Sequence, residues 1–527
     1  MKTITISMVM GALGVAVMAT SAGAQTKEWP GWGHDNSRNM YAPDKGIVEL
    51  FTPGKFKKGT EEVDMATTKN VRWVAKLGSQ SYGNTTVSQG NVLIGTNNEA
   101  PRDKKYAGDH SVVYCFEETT GKFLWQFVVP KLGAGRVNDW EFLGICSAPV
   151  VEGDRVYVIT SRCEVVCLDL NGLKNGNDGP FKEEGQYTAG PGKTPIPQDE
   201  FDADIIWRYD MREELGVFPH NIASSSVLIL GDKLYAVTSN GQDWSHTFVP
   251  SPRAPTLVVL DKKTGQYRGE DVSGIGFRIM HCNWSSPSYG PTYIKQGDKG
   301  QVLLGGGDGW LYSYDPDPVP AEDGYYNLKE LWKFDCNPPE YKADKNGKKL
   351  RYPVAEGPSE IIATPVYYNG RVYVATGQDP EHGEGVGVLT CLRADGAGDV
   401  TKSAVIWQNK EIGRSISTVS IADGLVYCAD YSGKIFCVDA ETGKTIWMHE
   451  TEAHIWGSTF LVDGRVYIGT EDGSLWIFKH GRGKDGKAEV LHQIEMPAPI
   501  YSTPIVANGV LYVATQTHLY AIAEDKK

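Results

Sequence analysis

The chain has 527 residues, with 52 Lys and Arg against 65 Asp and Glu, a formal net charge of −13. That acidic balance excludes the basic surface on which non-specific nucleic-acid binding depends. With 60 Gly, 26 Tyr and 14 Trp, the composition points to aromatic-rich strands joined by Gly turns, an all-β chain.

Residues 1–24 read as a signal peptide. Lys2 is the charged start, ITISMVMGALGVAVMAT the apolar run, and Ala22 to Ala24 a small-residue pattern that predicts cleavage after Ala24. The apolar run is short for a membrane span. No Cys stands at the cleavage site and no twin-Arg pair precedes it, so the expectation is an exported chain, periplasmic or secreted, that is not a lipoprotein. No later segment is apolar enough to span a bilayer. Residues 25–69 read as an N-terminal extension packing on the main domain. Residues 70–77, NVRWVAKL, read as a strand without the rest of its unit.

From there one phrase recurs: a short strand, a turn, then G-x-V-Y opening a second strand. In chain order it is TTVSQGNVLIGT (85–96), SAPVVEGDRVYVIT (147–160), SSVLILGDKLYAVT (225–238), SSPSYGPTYIKQGDKGQVLLGG (285–306), ATPVYYNGRVYVAT (363–376), STVSIADGLVYCAD (417–430), STFLVDGRVYIGT (458–470) and STPIVANGVLYVAT (502–515). The shortest spacing, Gly424 to Gly464, is forty residues. A period near forty with four strands per unit is the pattern of a β-propeller, whose blades must stack because none buries both faces alone. The last copy ends at LYAIAEDKK without a fourth strand, and strand 70–77 is expected to supply it and remove the open edge. The predicted fold is an all-β, eight-bladed propeller of four-stranded antiparallel blades over 70–527, with insertions near 171–204 and 314–330.

The second half of the unit is clearest in VVYCFEETTGKFLW (112–125) and KIFCVDAETGKTIW (434–447). Gly121 and Gly443 supply the positive φ of a tight turn. Trp125, Trp207, Trp332, Trp407 and Trp447 fall on fourth strands, Trp73 starts the closing one, and all are expected to dock one blade on the next. Cys115, Cys167, Cys391 and Cys437 share a repeat position with Val259, Ser313, Ile477 and Ala521, which marks a small packed slot. Cys428 could face Cys437 if their turn is a two-residue loop, making one disulfide possible. The other cysteines are Cys146, Cys163, Cys282 and Cys336. There is no C-x-x-C-H haem motif and no paired C-x-x-C zinc spacing.

The loops leading into the first strands should converge at the axial mouth. They are 78–84, 138–146, 216–223, 278–284, 357–363, 412–417, 452–458 and 498–502. They carry Tyr82, Asn84, Trp140, Glu141, His220, Asn221, His281, Trp284, Glu360, Arg414, His454, Trp456 and Tyr501. An aromatic among them could stack on a flat ring, and Arg414 could take a carboxylate in a bidentate pair. GQDPEHGEGVG (377–387) replaces an ordinary hairpin. Its Asp379, Glu381, His382 and Glu384 are dense enough for a hard cation, without EF-hand spacing.

The repeat C-V-D-A-E-T-G-K-T-I-W resembles the PQQ-binding-like β-propeller family, whose unit reads A-x-D-x-x-T-G-K-x-x-W, and WPGWGHDNSRN (29–39) and GQDPEHGEGVG are similar to exported planctomycete-type members. The resemblance covers nearly the whole chain after residue 24. It implies a propeller that either holds partner proteins without a cofactor or binds pyrroloquinoline quinone with calcium or a lanthanide. For the second, Glu141 and Asn221 match the first two loop ligands. The third loop offers His281 and Asn283 where the family has an Asp base, and no two Cys are neighbours where it has an adjacent Cys pair. His281 could serve as a general base there.

Two functions follow. One is an exported binding or scaffold propeller holding a small ligand or an envelope protein at its axial funnel, with Trp140, Glu141, His220, Asn221, Trp284, Glu360, Arg414, Trp456 and Tyr501 as the binding set. The alternative is a divergent quinone-dependent alcohol or sugar dehydrogenase passing electrons to a separate cytochrome, with Glu141 and Asn221 as metal ligands, while Asp379, Glu381, His382 and Glu384 form a separate candidate cation site.

Overall fold

In each repeat, alternate side chains of a strand must pack on different neighbours, and blade 6 shows how. Its strands Ser420–Ala422, Leu425–Ala429, Lys434–Asp439 and Thr445–Glu450 form one antiparallel sheet. Val426 and Cys428 pack with Tyr373, Cys391 and Trp407 of blade 5. Leu425, Tyr427 and Ala429 pack with Leu461, Val466 and Phe478 of blade 7. Stacked around the axis, eight such sheets make the molecule, a computed structural model that describes residues 27–292, 299–322 and 324–524. The signal peptide read over residues 1–24 lies outside them. The first strands of blades 1 to 8 are Thr86–Ser88, Val150–Glu152, Leu228–Leu230, Ser288–Gly290, Val366–Tyr368, Ser420–Ala422, Phe460–Val462 and Ile505–Ala507. Blade 8 takes its fourth strand from Val71–Lys76, which pairs antiparallel with His518–Ile522 and closes the ring.

The Trp and Gly of the repeated phrase explain one another across blade boundaries. The indole nitrogens of Trp73, Trp125, Trp207, Trp407 and Trp447 donate to Glu118, Leu170, Lys262, Ala440 and Gly481 carbonyls of the following blade. A Cβ on Gly121, Gly265 or Gly443 would lie 2.5 Å from the ring of Trp73, Trp207 or Trp407. The turn is therefore Gly both for its positive φ and because the preceding blade's indole lies flat against it. Trp332 departs from the pattern and donates to Gln301 of its own blade.

Cys115, Cys167, Cys391 and Cys437 each pair in the ladder with Trp125, Trp207, Trp407 and Trp447, in a slot held by Ser313 opposite Trp332 and Ala521 opposite Trp73. The expected Cys428–Cys437 bridge does not form. The register sets Ala429 opposite Ile435, with an odd number of residues between them where a two-residue loop would leave an even one, so Cys428 pairs with Phe436 and Cys437 with Tyr427, and the two thiols point to opposite faces. All nine cysteines are free.

Two features organise the axis. In one, backbone N–H groups donate to a polar side chain at the equivalent position of the next blade: Ala148 to Ser226, Ser226 to Ser286, Thr364 to Thr418, Thr418 to Ser458, Ser458 to Thr503, and Thr503 to Asn84. The other is a strap made by residues 27–42. Its backbone or side chains bond Asn508 of blade 8, Val87 of blade 1, Val151 of blade 2, Ile229 of blade 3, Tyr289 of blade 4, Tyr367 of blade 5, Ile421 of blade 6 and Leu461 of blade 7. Arg38, 3% exposed, donates to the carbonyls of Trp32, Val227 and Pro287. Burial pulls its pKa down to about 10.

The insertions sit on outer strands. Residues 171–204 carry the helix Glu184–Ala189 and lean on blade 1, where Tyr187 stacks on Phe127 and Phe201 on Phe123. The second insertion adds Val319–Pro320 and Tyr326–Leu328 to the edge of blade 3. No helix of the described residues is long and apolar enough to cross a membrane.

Candidate functional site

All eight axial loops contribute to one cavity of about 460 Å³, and the strap's Trp32 also lines it, with its Nε1 donating to Thr364 Oγ1 of blade 5 at 3.0 Å. Aromatic rings frame it: Tyr82, Trp140, Trp284, Trp456 and Tyr501, all half-buried. Tyr82 and Tyr501 stack at 4.8 Å between centroids with planes 9° apart, and Trp456 meets both edge-on. Trp456 Nε1 donates to Glu471 at 3.2 Å, which fixes that indole.

Of the expected binding set, Trp140, Asn221, Trp284, Trp456 and Tyr501 line the cavity. Glu141 does not: it is partly exposed and ion-paired with Arg136 at 2.7 Å. Arg414 is no clamp for a carboxylate. It is buried and its two terminal nitrogens donate to the carbonyls of Pro353, Val354, His382 and Gly383, pinning two loops together.

The loop 379–384 does not gather its four side chains around one point. Asp379 caps the short helix Pro380–His382, accepts from Asn221 Nδ2 at 3.2 Å and lines the cavity with Glu381. His382 turns to the hydroxyl of Tyr352 at 2.9 Å. Glu384 is exposed beside His454, 3.7 Å away.

His220, Glu360 and His281 lie beside the cavity in a second cluster. Gly241 lets the loops carrying His220 and His281 meet: a Cβ there would lie 2.7 Å from both His220 Cβ and the His281 carbonyl. The two rings are 4.2 Å apart, His246 stands 5.0 Å from each, and His382 is 5.0 Å from His281. One ligand atom each from His220, His246 and His281 fall within 4.8 Å of one another. Trp284 separates this group from the axis, 5.1 Å from His281.

Burial dominates the electrostatics. It pushes His220 down to about 3 and His281 and His382 down to about 4, so these rings are neutral at pH 7. Glu360, fully buried, is pushed up to about 8 by the same cause, although it accepts from Cys282 N and the Tyr352 hydroxyl. Asp379 is also raised by burial, against the opposing pull of His281.

His246 and Tyr352 were not among the expected site residues. His246 belongs to the long connection between Lys233–Val237 and Leu257–Asp261, far longer than the four-residue turn of blade 6. That elaborated hairpin is the same signal that singled out 377–387.

A family model described as outer membrane protein assembly factor BamB matches residues 66–274 and 396–489, more than half of the chain. An outer membrane protein assembly factor BamB of Nitrosomonas eutropha is 29% identical over 93 residues, 18% of this chain and 21% of that protein. The chain thus matches about a fifth of the length of that curated relative. Among solved structures, BamB from Moraxella catarrhalis superposes with a TM-score of 0.50 at 12% identity, covering 86% of this chain and 97% of that one. A quinohemoprotein alcohol dehydrogenase from Comamonas testosteroni has a TM-score of 0.49 at 15% identity, covering 96% and 82%.

Proposed function

We propose, for a chain that belongs to the family described as outer membrane protein assembly factor BamB, that it is an exported binding propeller whose axial cavity holds a small ligand with a flat ring. The observation that carries this reading is the cavity itself. Its volume of about 460 Å³ lies within the ~300–1,000 Å³ typical of small-molecule pockets. The strap's Trp32, held by Thr364, forms part of its wall. Fixed aromatic faces from separate blades with few charged groups suit stacking rather than salt-bridge recognition. A periplasmic location fits the leader-like residues 1–24 and relatives named for outer membrane assembly.

The residues present do not fit the alternative, a quinone with calcium or a lanthanide. Glu141 is committed to Arg136 away from the cavity and Arg414 to four carbonyls. The third loop brings a neutral imidazole, His281, where the resemblance implies a carboxylate base. A hard cation prefers oxygen ligands.

The test is quenching of intrinsic Trp fluorescence by planar probes: indole, an anilinonaphthalene sulfonate and pyrroloquinoline quinone with and without calcium. Saturable quenching by one or more probes that is lost in the Trp456→Ala, Tyr501→Ala double variant supports the reading. Quenching indifferent to that variant, or none with any probe, overturns it. Calcium-dependent quenching by the quinone that disappears in Glu141→Ala would replace it with the dehydrogenase.

A further inference from the structure

A buried imidazole nitrogen normally finds a hydrogen-bond partner. His220 and His281 are 0% and 1% exposed, yet Nε2 of both, and Nδ1 of His281, have none among the described residues. Three buried nitrogen atoms on two adjacent rings, without a hydrogen-bond partner, are a cost to the fold unless something else occupies them.

The donor set says what that would be. His220 Nδ1 lies 2.6 Å from the carbonyl oxygen of Gln242, which can only accept. The proton is therefore on Nδ1, and Nε2 keeps its lone pair, buried and without a hydrogen-bond partner among the described residues. An imidazole held through one nitrogen by an oxygen acceptor, with the other free, is the arrangement that orients a histidine metal ligand. His281 repeats it more loosely: its Nδ1 has Glu360 at 3.7 Å and Asp379 at 3.9 Å. His246 adds a third ring from the exposed 243–248 loop.

We propose that His220, His246 and His281 together bind one divalent transition-metal ion of the zinc or copper class, beside the axial cavity. Imidazole nitrogens suit zinc, copper and nickel, whereas calcium and magnesium take oxygen. Nitrogens bound tetrahedrally at ~2.0–2.1 Å sit roughly 3.3 Å apart. The present atoms lie within 4.8 Å of one another, so modest closure suffices. His246 can supply it, because its loop lies at the surface while the other two rings are fixed in the interior. Glu360 and Asp379 flank His281 Nδ1 as carboxyl acceptors beside the site. Asp379 also lines the cavity, so the metal would border whatever the cavity holds. The proposal does not depend on what that ligand is.

The test uses the chain from residue 25, made without a polyhistidine tag and stripped with a chelator. It is titrated with zinc by calorimetry and with cobalt by visible absorption. One equivalent should bind, with cobalt bands of a nitrogen-ligated, low-coordinate ion, and zinc should raise the melting temperature. His246→Ala removes a surface ring that fills no core space, so it should fold as the wild type does and bind zinc at least ~100-fold more weakly, beyond the effect of losing an outer partner. His281→Gln should abolish the cobalt bands, and His454→Ala, outside the cluster, should leave binding unchanged. Absence of stoichiometric binding to the folded wild-type chain, or binding that survives both His246→Ala and His281→Gln, overturns the assignment.

Discussion

Gly121→Ala should destabilise the propeller much more than Gly90→Ala, although both residues sit in turns with positive φ, +70° and +77°. The backbone cost of Ala in that region is about 1 kcal/mol and common to both. At Gly90 an added Cβ meets nothing within 4 Å, while at Gly121 it would lie 2.5, 2.7 and 2.8 Å from three atoms of the Trp73 indole. Carbon atoms rest at roughly 3.5–4.0 Å, so the ring must retreat by about 1 Å. It has little room to do so, being 5% exposed and tied by Nε1 to the Glu118 carbonyl at 2.9 Å. Overpacking of this kind costs about 1–3 kcal/mol, and a lost hydrogen bond about 1 kcal/mol more. Gly121→Ala should therefore lose roughly 3–5 kcal/mol against roughly 1 kcal/mol for Gly90→Ala. Urea unfolding followed by circular dichroism gives both numbers. Trp73→Phe in the Gly121→Ala background should recover part of the loss, a coupling that a double-mutant cycle reads directly. Equal losses at Gly90 and Gly121 would refute the account of the turn glycine as the seat of the neighbouring indole.

Two further outcomes follow from buried groups. His518 is 2% exposed and is pushed down to about 4 by burial, with Lys76 adding to the effect. Between pH 6.5 and 4 the unfolded chain takes up a proton there that the folded chain refuses, so stability falls as pH falls through that window, by up to about 3 kcal/mol. His518→Gln should flatten that part of the slope in denaturation midpoints measured at pH 7 and pH 4.5, and an unchanged slope would count against it. All nine thiols are free and eight are fully buried, with burial raising each of them, Cys428 and Cys437 up to about 12. The native chain should react slowly with a thiol reagent, and the unfolded chain, without reductant, should titrate nine groups. A count of seven would restore a disulfide.

The ring was legible because its information is local. Eight copies of the strand–turn–strand phrase and the Trp after T-G are readable within forty residues, and a strand without a unit pairs with a unit without a strand. The aromatic lining was legible for the same reason, since an aligned repeat aligns its loops. What escaped depends on contacts between distant residues. Glu141 and Arg414 have suitable chemistry, but Arg136 and four carbonyls claim them. His246 lies in the middle of the irregular connection between Val237 and Leu257, and only the fold brings it to His220 and His281. The Cys428–Cys437 expectation failed on a register one residue away from the two-residue hairpin, Cys428 opposite Phe436, which turned one thiol to the opposite face. The strap has no periodicity at all, because it bonds the blades largely through backbone groups that sequence does not display.

That strap has a consequence for assembly. Residues 27–42 leave the ribosome before any blade exists, yet Asn39 bonds Ile421, 382 residues later in the chain. Its full set of partners exists only after the last blade has met Val71–Lys76. The segment is therefore fully seated only in the closed ring. It also acts as a gauge of circumference: a ring that had gained or lost a blade by duplication or deletion of one repeat would present the wrong number of inner edges in the wrong order. Neighbour-to-neighbour docking alone would tolerate such a change, whereas a single segment that touches every blade in sequence counts them.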